Sequence, residues 1–308
     1  MSAFFTALVP VILIVALGQF LVRRGLVQAE AFRALDRLSF LVLLPALIIR
    51  ALANAEFDGA PWLMIAALMA AQVLLGAFGL LAHAWPGMTR PEIGTIVQSN
   101  VRWNTIIGLS LGGLLFGDEG LALVSLAAAA MIPVANVISV YALVSHADRP
   151  PGERPRPLLA LTRNPLIYAC LIGIGLASFH VRLPVIADET LKMLANAAIA
   201  LGLLSAGAGV DLGALKRAGL RTFTWTAVRL IGLPALTLAV GLAIGLSGLP
   251  LAIALICAAT PTAPNSYVLA RELGGNTTLA ANFIAAQTLL AALTLPLTWL
   301  VILGLGAV

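Results

Sequence analysis

Ala258-Ala259-Thr260-Pro261-Thr262-Ala263-Pro264-Asn265-Ser266-Tyr267 lies in the middle of an apolar run of Leu, Ile and Ala, and it cannot continue that run as an unbroken helix. Each proline lacks a backbone donor and its ring clashes with the preceding turn, so a helix kinks or breaks there. Two prolines three apart, Pro261 and Pro264, flanked by Thr260, Thr262, Asn265 and Ser266, mark a break lined with polar groups. A second stretch, Val97-Gln98-Ser99-Asn100-Val101-Arg102-Trp103-Asn104-Thr105-Ile106, also interrupts an apolar run, this time with amides and an arginine. Irregular backbone of this kind is tolerated in a membrane only where it lines a cavity or is buried in protein. A break also exposes the N-terminus of a half-helix, whose free N–H groups and partial positive charge suit an anion.

The chain around these stretches is that of a membrane protein. Of its 308 residues 61% are hydrophobic and 10% charged, and the mean hydropathy is +1.03. Soluble domains carry about 25% charged residues, so an ordinary cytosolic enzyme, a secreted disulfide scaffold and a disordered chain are excluded. The net charge of +5 does not signal nucleic acid, because the basic residues are dispersed in short loops and build no continuous basic face. Cys170 and Cys257 sit singly in apolar runs without metal-ligand spacing, and no cofactor is expected. The N-terminus lacks a basic n-region, so residues 4–22 read as a first span and not as a cleaved signal.

Ten apolar segments of helical composition follow, at about 3–22, 37–54, 61–85, 92–116, 120–144, 164–180, 187–208, 222–246, 250–273 and 278–305. Basic residues gather in alternate loops: Arg23, Arg24, Arg33 and Arg37; Arg90; Arg149, Arg154, Arg156 and Arg163; Lys216, Arg217 and Arg221; Arg271. Basic loops stay cytoplasmic. The chain is therefore expected in the bacterial cytoplasmic membrane, surrounded by lipid, with both termini on the outer side. The two halves resemble each other at an offset of about 155 residues: Pro10, Ile12 and Gly18 match Pro165, Ile167 and Gly173, and Gly117-Asp118 meets Gly275-Asn276. Five spans per half is odd, so the second half inserts inverted, a common build of secondary transporters. The expected fold is all-α and integral to the membrane. It has ten transmembrane helices as two inverted five-helix repeats, 1–147 and 164–308, joined by a short cytoplasmic linker, 148–163. Spans four and nine are the broken pair.

Arg102 falls about 10 residues into span four, or roughly 15 Å at about 1.5 Å per residue. An arginine at that depth costs at least about 2.5–3.5 kcal/mol and marks a site by default. Asn100 and Asn104 are four apart and read as one helical face, facing either the site or a neighbouring helix. Asn136 in span five and Gln287 in span ten follow the broken spans in sequence and are placed near the cavity. Arg229, nearer the cytoplasmic end of span eight, reads as a snorkelling residue. Pro45, Pro133, Pro234 and Pro296 read as kinks. No Asp or Glu lies deep in any span, which disfavours a proton relay and leaves only neutral oxygens for a sodium site. Coupling to Na+ or H+ remains open, with uncoupled, potential-driven anion movement favoured.

Several short motifs in order resemble the auxin efflux carrier family in its short bacterial form. They are Val9-Pro10 with Ala16-Leu17-Gly18, Arg23-Arg24-Gly25-Leu26, Leu35-Asp36-Arg37-Leu38, Leu44-Pro45-Ala46-Leu47, Asn104-Thr105, Arg163-Asn164-Pro165, and Pro261 with Ala270-Arg271-Glu272. The resemblance implies a scaffold of spans one, two, six and seven that forms a homodimer, and a moving transport domain of spans three to five and eight to ten. It also implies an organic anion bound where spans four and nine cross, a binding role for Asn104 and a crossing role for Pro261. Bacterial relatives are associated with malonate or malate, plant ones with auxin, and a distant kinship reaches the bile acid:sodium symporters. The chain departs from the pattern at Trp103, where relatives often have proline, and in lacking an acidic residue between Trp62 and Leu81. It also lacks the long cytoplasmic loop of plant members.

The reading is a carrier, not an enzyme, that moves a small carboxylate by elevator-like or rocking alternating access. Its substrate-binding residues are Asn100, Arg102, Asn104, Thr105, Asn136, Thr260, Thr262, Asn265 and Gln287, and its helix-break residues are Pro261 and Pro264. A sodium-coupled organic anion symporter is the alternative. A channel fits the inverted repeat poorly, and no nucleophile with a base supports an intramembrane enzyme.

Overall fold

The computed structural model describes residues 2–54, 61–148, 165–216 and 218–308. The linker 148–163 lies outside the described residues from 149 onward, as do Glu56, Asp58, Arg163, Asn164 and Arg217. The described residues are helical, with no strand among them. The helices are α1 (Ser2–Arg23), α2 (Ala29–Leu38), α3 (Leu44–Ala53), α4 (Pro61–Gly79), α5 (Arg90–Val101), α6 (Thr105–Ser145), α7 (Pro165–Ser178), α8 (Val185–Ala208), α9 (Leu212–Lys216), α10 (Leu220–Ala227), α11 (Leu233–Ala243), α12 (Gly248–Ala259), α13 (Ser266–Leu273) and α14 (Thr277–Gly304).

Among the described residues six helical stretches are long and apolar enough to cross a membrane: Thr6–Arg23, Pro61–Ala84, Arg90–Ser145, Val185–Ala208, Leu220–Ala243 and Thr277–Gly304. The ten apolar segments of the sequence map onto fewer stretches for local reasons. Arg90–Ser145 holds two of them and turns at Gly117, whose φ of 61° only glycine adopts readily. Span two begins as α2, eight residues earlier than expected, and reaches α3 through a π turn at Ser39–Leu43. Span nine is divided between α12 and α13, with residues 260–265 non-helical between them.

The same π turn recurs at Val228–Gly232, and in both places the residues that follow are Leu-Pro-Ala-Leu (44–47 and 233–236). A proline one position into the next helix cannot donate to the carbonyl four residues back. Widening the turn to the i→i+5 register accommodates that missing donor. Pro45 and Pro234 therefore act as helix distorters, as their sequence suggests.

The residues group into two compact units. One holds Met1–Pro61, Thr105–Ala129 and Arg163–Gly209. In it α1 lies against α8 at backbone contact: a Cβ on Gly18 would collide with the Leu204 carbonyl, and one on Gly207 with the Val15 carbonyl. Arg50 of α3 pairs with Asp188 of α8 at 3.0 Å, and Asn54 donates to the same carboxylate at 2.9 Å. The chain passes from one unit to the other between Asn104 and Thr105, and again inside α6 between Ala129 and Ala130.

The other unit holds Trp62–Asn104, Ala130–Thr162 and Val210–Val308. Its centre is α12, buried on every side from Leu251 to Ala259, as a helix that is apolar all round must be. Asn276 accepts from Leu279 N at 2.9 Å to cap α14, and its own N–H donates to Thr95 Oγ1 of α5 at 2.9 Å. Arg221 fastens the turn before α5, donating to the carbonyls of Pro86 and Gly87 at 2.8 and 3.1 Å.

Candidate functional site

The two interrupted stretches quoted at the outset meet inside the second unit. α5 stops at Val101, and Arg102 turns to extended backbone at φ −80°, ψ 146°. α12 stops at Ala259, and Thr260 turns the same way at φ −66°, ψ 148°. The unwound segments then bond to each other: Asn104 N donates to the Pro261 carbonyl at 2.8 Å. The groups freed by one break are thus satisfied by the other, which is how broken backbone survives away from water.

Two of the expected binding residues, Asn136 and Asn265, converge on a third, the cation of Arg102. Arg102 donates through Nη1 to Asn136 Oδ1 and through Nη2 to Asn265 Oδ1, each at 3.0 Å. Arg102 and Asn136 are half-buried and Asn265 is exposed. Both partners are neutral amides, and among the described residues Arg102 makes no ion pair. Its Nε is buried without an acceptor. Asn265 directly precedes α13 but leaves that helix uncapped, because its oxygen serves the guanidinium.

A second polar chain locks the crossing. Gln287 is fully buried on α14; its Oε1 accepts from Thr262 N at 2.9 Å and its Nε2 donates to Ser99 Oγ at 2.7 Å. The Thr262 hydroxyl lies 3.1 Å from Ser266 Oγ, and Gln98 Nε2 donates to the Ser266 carbonyl at 2.9 Å. The Thr260 hydroxyl donates to Cys257 O at 2.9 Å, closing off the end of its own helix. Pro264 heads the turn that starts α13, its carbonyl accepting from Tyr267 N at 3.2 Å. Thr105 opens α6, is half-buried, and clusters with the first unit.

Two readings need correction. Asn100 and Asn104 do not share a helical face, because the helix ends between them and the four-residue periodicity ends with it. Asn100 is fully buried and donates to the Leu75 carbonyl of α4 at 3.3 Å, so it joins helices, while Asn104 enters the crossing through its backbone. Arg229 does not snorkel. It is 0% exposed, and donates to the Arg102 carbonyl at 3.2 and 3.3 Å and to the Ala258 carbonyl at 2.8 Å. Gln98, Ser99 and Ser266 carry site contacts that sequence reasoning did not assign. The first two were visible only as polar residues adjacent in an apolar run.

A cavity of about 410 Å³ opens elsewhere in this unit, lined by Trp85, Glu92, Arg221, Thr222, Asn276 and Asn282 among others. None of the expected binding residues lines it. It sits at the starts of α5, α10 and α14, and the crossing lies about 10 residues further along α5 and α14, or roughly 15 Å. The chemistry of an unpaired cation therefore places the candidate site at the crossing, with the cavity as an opening on the same helices.

The profile of the membrane transport protein family matches residues 3–299, nearly the whole chain. The chain belongs to this family. The motifs that resemble the auxin efflux carriers belong to the same family, so that resemblance holds over the full length. No curated protein matches the chain. This membrane transport protein is thus a member of a transporter family and not of an enzyme family.

Proposed function

We propose that this membrane transport protein is a secondary carrier of a small organic acid anion, which it binds at the crossing of its two broken helices. The observation that carries this reading is Arg102. Its guanidinium is held ready by two neutral amide oxygens at 3.0 Å, with no carboxylate on it among the described residues. A substrate carboxylate is a better acceptor than an amide, since it brings a full negative charge to the guanidinium and can take its N–H groups in a parallel pair. Asn136 and Asn265 are therefore place-holders that orient the cation and give way to substrate. The half-helix N-terminus at Ser266 adds partial positive charge.

The ten-helix inverted repeat remains our reading of the topology, with both termini outside and the cytoplasmic membrane as location. The basic end, with Arg90 and Arg221, faces the cytoplasm, and the cavity there is the inward mouth. Alternating access moves spans three to five and eight to ten, and spans one, two, six and seven form the homodimer scaffold. Sodium coupling is the second reading, favoured by Gln98 Oε1 and Asn100 Oδ1, which are buried neutral oxygens without a donor among the described residues.

Uptake of labelled carboxylates into proteoliposomes, with and without sodium and at imposed potentials, tests the reading. Saturable, potential-driven uptake that is lost in Arg102→Gln supports it. Uptake that is unsaturable, or indifferent to Arg102→Gln, overturns it.

A further inference from the structure

We propose that Arg229, which on this geometry is not aimed at substrate, is the positioning residue that holds both broken helices together and makes their crossing selective for anions. The proposal rests on the anion-carrier reading for its selectivity half, and on geometry alone for its holding half.

An α-helix leaves its last carbonyls without intrahelical donors, and its C-terminus carries a partial charge of about −0.5. α5 and α12 both end at the crossing, so two such ends, together about one negative charge, lie where an anion is to bind. Left uncompensated they would offset the positive charge of Arg102. Arg229 faces both: Nε and Nη2 donate to the Arg102 carbonyl at 3.3 and 3.2 Å, and Nη1 donates to the Ala258 carbonyl at 2.8 Å. One planar guanidinium thereby bridges carbonyls at the two helix ends, with its single positive charge balancing their summed partial charges. The charge of Arg102 is left for the ligand.

The backbone is shaped for this contact. Arg229 lies in the π turn Val228–Gly232, imposed by Pro234, and is among the largest fully buried side chains of the protein. π turns concentrate at functional sites. A buried arginine without an ion pair is costly, and here carbonyl dipoles at two helix ends supply the compensation. Its two contacts are 156 residues apart in sequence, Arg102 and Ala258, so it joins the two interrupted stretches directly.

The test uses the full-length protein with Arg229→Gln and Arg229→Lys. Glutamine removes the charge and cannot span both ends. Lysine keeps the charge but is a point donor without the fork. The first measurement needs no substrate: amide hydrogen exchange of peptides covering 96–108 and 255–268. In Arg229→Gln exchange accelerates at least about tenfold at both breaks, while α1 and α8 are unchanged. In Arg229→Lys it accelerates at one break or less strongly at both. The second measurement is the concentration dependence of carboxylate uptake. Arg229→Gln raises KM at least about tenfold with a smaller change in maximal rate, and Arg229→Lys stays within about threefold of the parent KM.

Wild-type exchange at both breaks in Arg229→Gln overturns the holding role. If Arg229→Gln fails to fold, Arg229→Lys decides, because a KM raised tenfold despite the retained charge overturns the selectivity role. A parent protein that takes up no organic anion refutes the carrier reading and with it the selectivity half, while the exchange measurement still judges the holding half.

Discussion

Replacing Asn136 with aspartate puts a carboxylate where Arg102 now meets a neutral amide oxygen at 3.0 Å. The change is isosteric, and it turns a place-holder into a permanent counter-ion. Two unit charges about 4 Å apart attract by about 4 kcal/mol at an effective dielectric of about 20. Arg102 and Asn136 are half-buried, and side-chain ordering and solvent offset part of this, so about 2–4 kcal/mol is the working range. A substrate anion must displace that partner, which weakens its binding by about 30-fold to about 1,000-fold. Asn136→Ala removes the competitor and leaves the cation, so its affinity should stay within about fivefold of the parent. The assay is thermal-shift titration of the purified proteins with the preferred carboxylate. Asn136→Asp should melt at or above the parent temperature when no ligand is present, which separates lost binding from lost folding. Parent-like affinity in Asn136→Asp would refute the assignment of Arg102 as the anion receptor.

Gln287→Leu strips an acceptor from Thr262 N and a donor from Ser99 Oγ, both buried, and should lower stability by about 2–4 kcal/mol, read as a melting temperature several degrees lower. Gly207→Ala drives a Cβ into the Val15 carbonyl and should cost more than about 2 kcal/mol, whereas Gly175→Ala, with nothing within 4 Å, should be nearly neutral; chemical unfolding in detergent compares them. Binding of a fully ionised carboxylate should be flat between about pH 6 and pH 8, because the charged groups at the crossing are guanidiniums, which stay protonated throughout. A change by a whole proton across that range in a linkage titration would mean that an acid or histidine serves the site.

The positions of the breaks were legible because proline and clustered amides are local signals: Pro261 and Pro264 announce the end of α12, and Arg102 announces the end of α5. Their meeting through Asn104 N and the Pro261 carbonyl was legible only from resemblance, since no local pattern encodes which helix another helix crosses. Asn100 was misplaced because helical periodicity was carried through a break that cancels it. Arg229 was misread for a related reason. Counting residues from the span end measures depth but not partners, and its partners are carbonyls contributed by two other helices. The six long apolar stretches against ten expected spans reflect turns at Pro45, Gly117 and Pro261, and the 14 described residues of α7, too few to count as a span.

The most direct test of the central claim is thermal stabilisation of the purified protein by a panel of mono- and dicarboxylates, run in parallel on Arg102→Gln. A ligand at about 100 times its Kd stabilises the folded state by about 2.7 kcal/mol. A rise of a few degrees is expected for at least one carboxylate in the parent and none in Arg102→Gln. Equal stabilisation of both proteins, or of neither by any carboxylate, would contradict it.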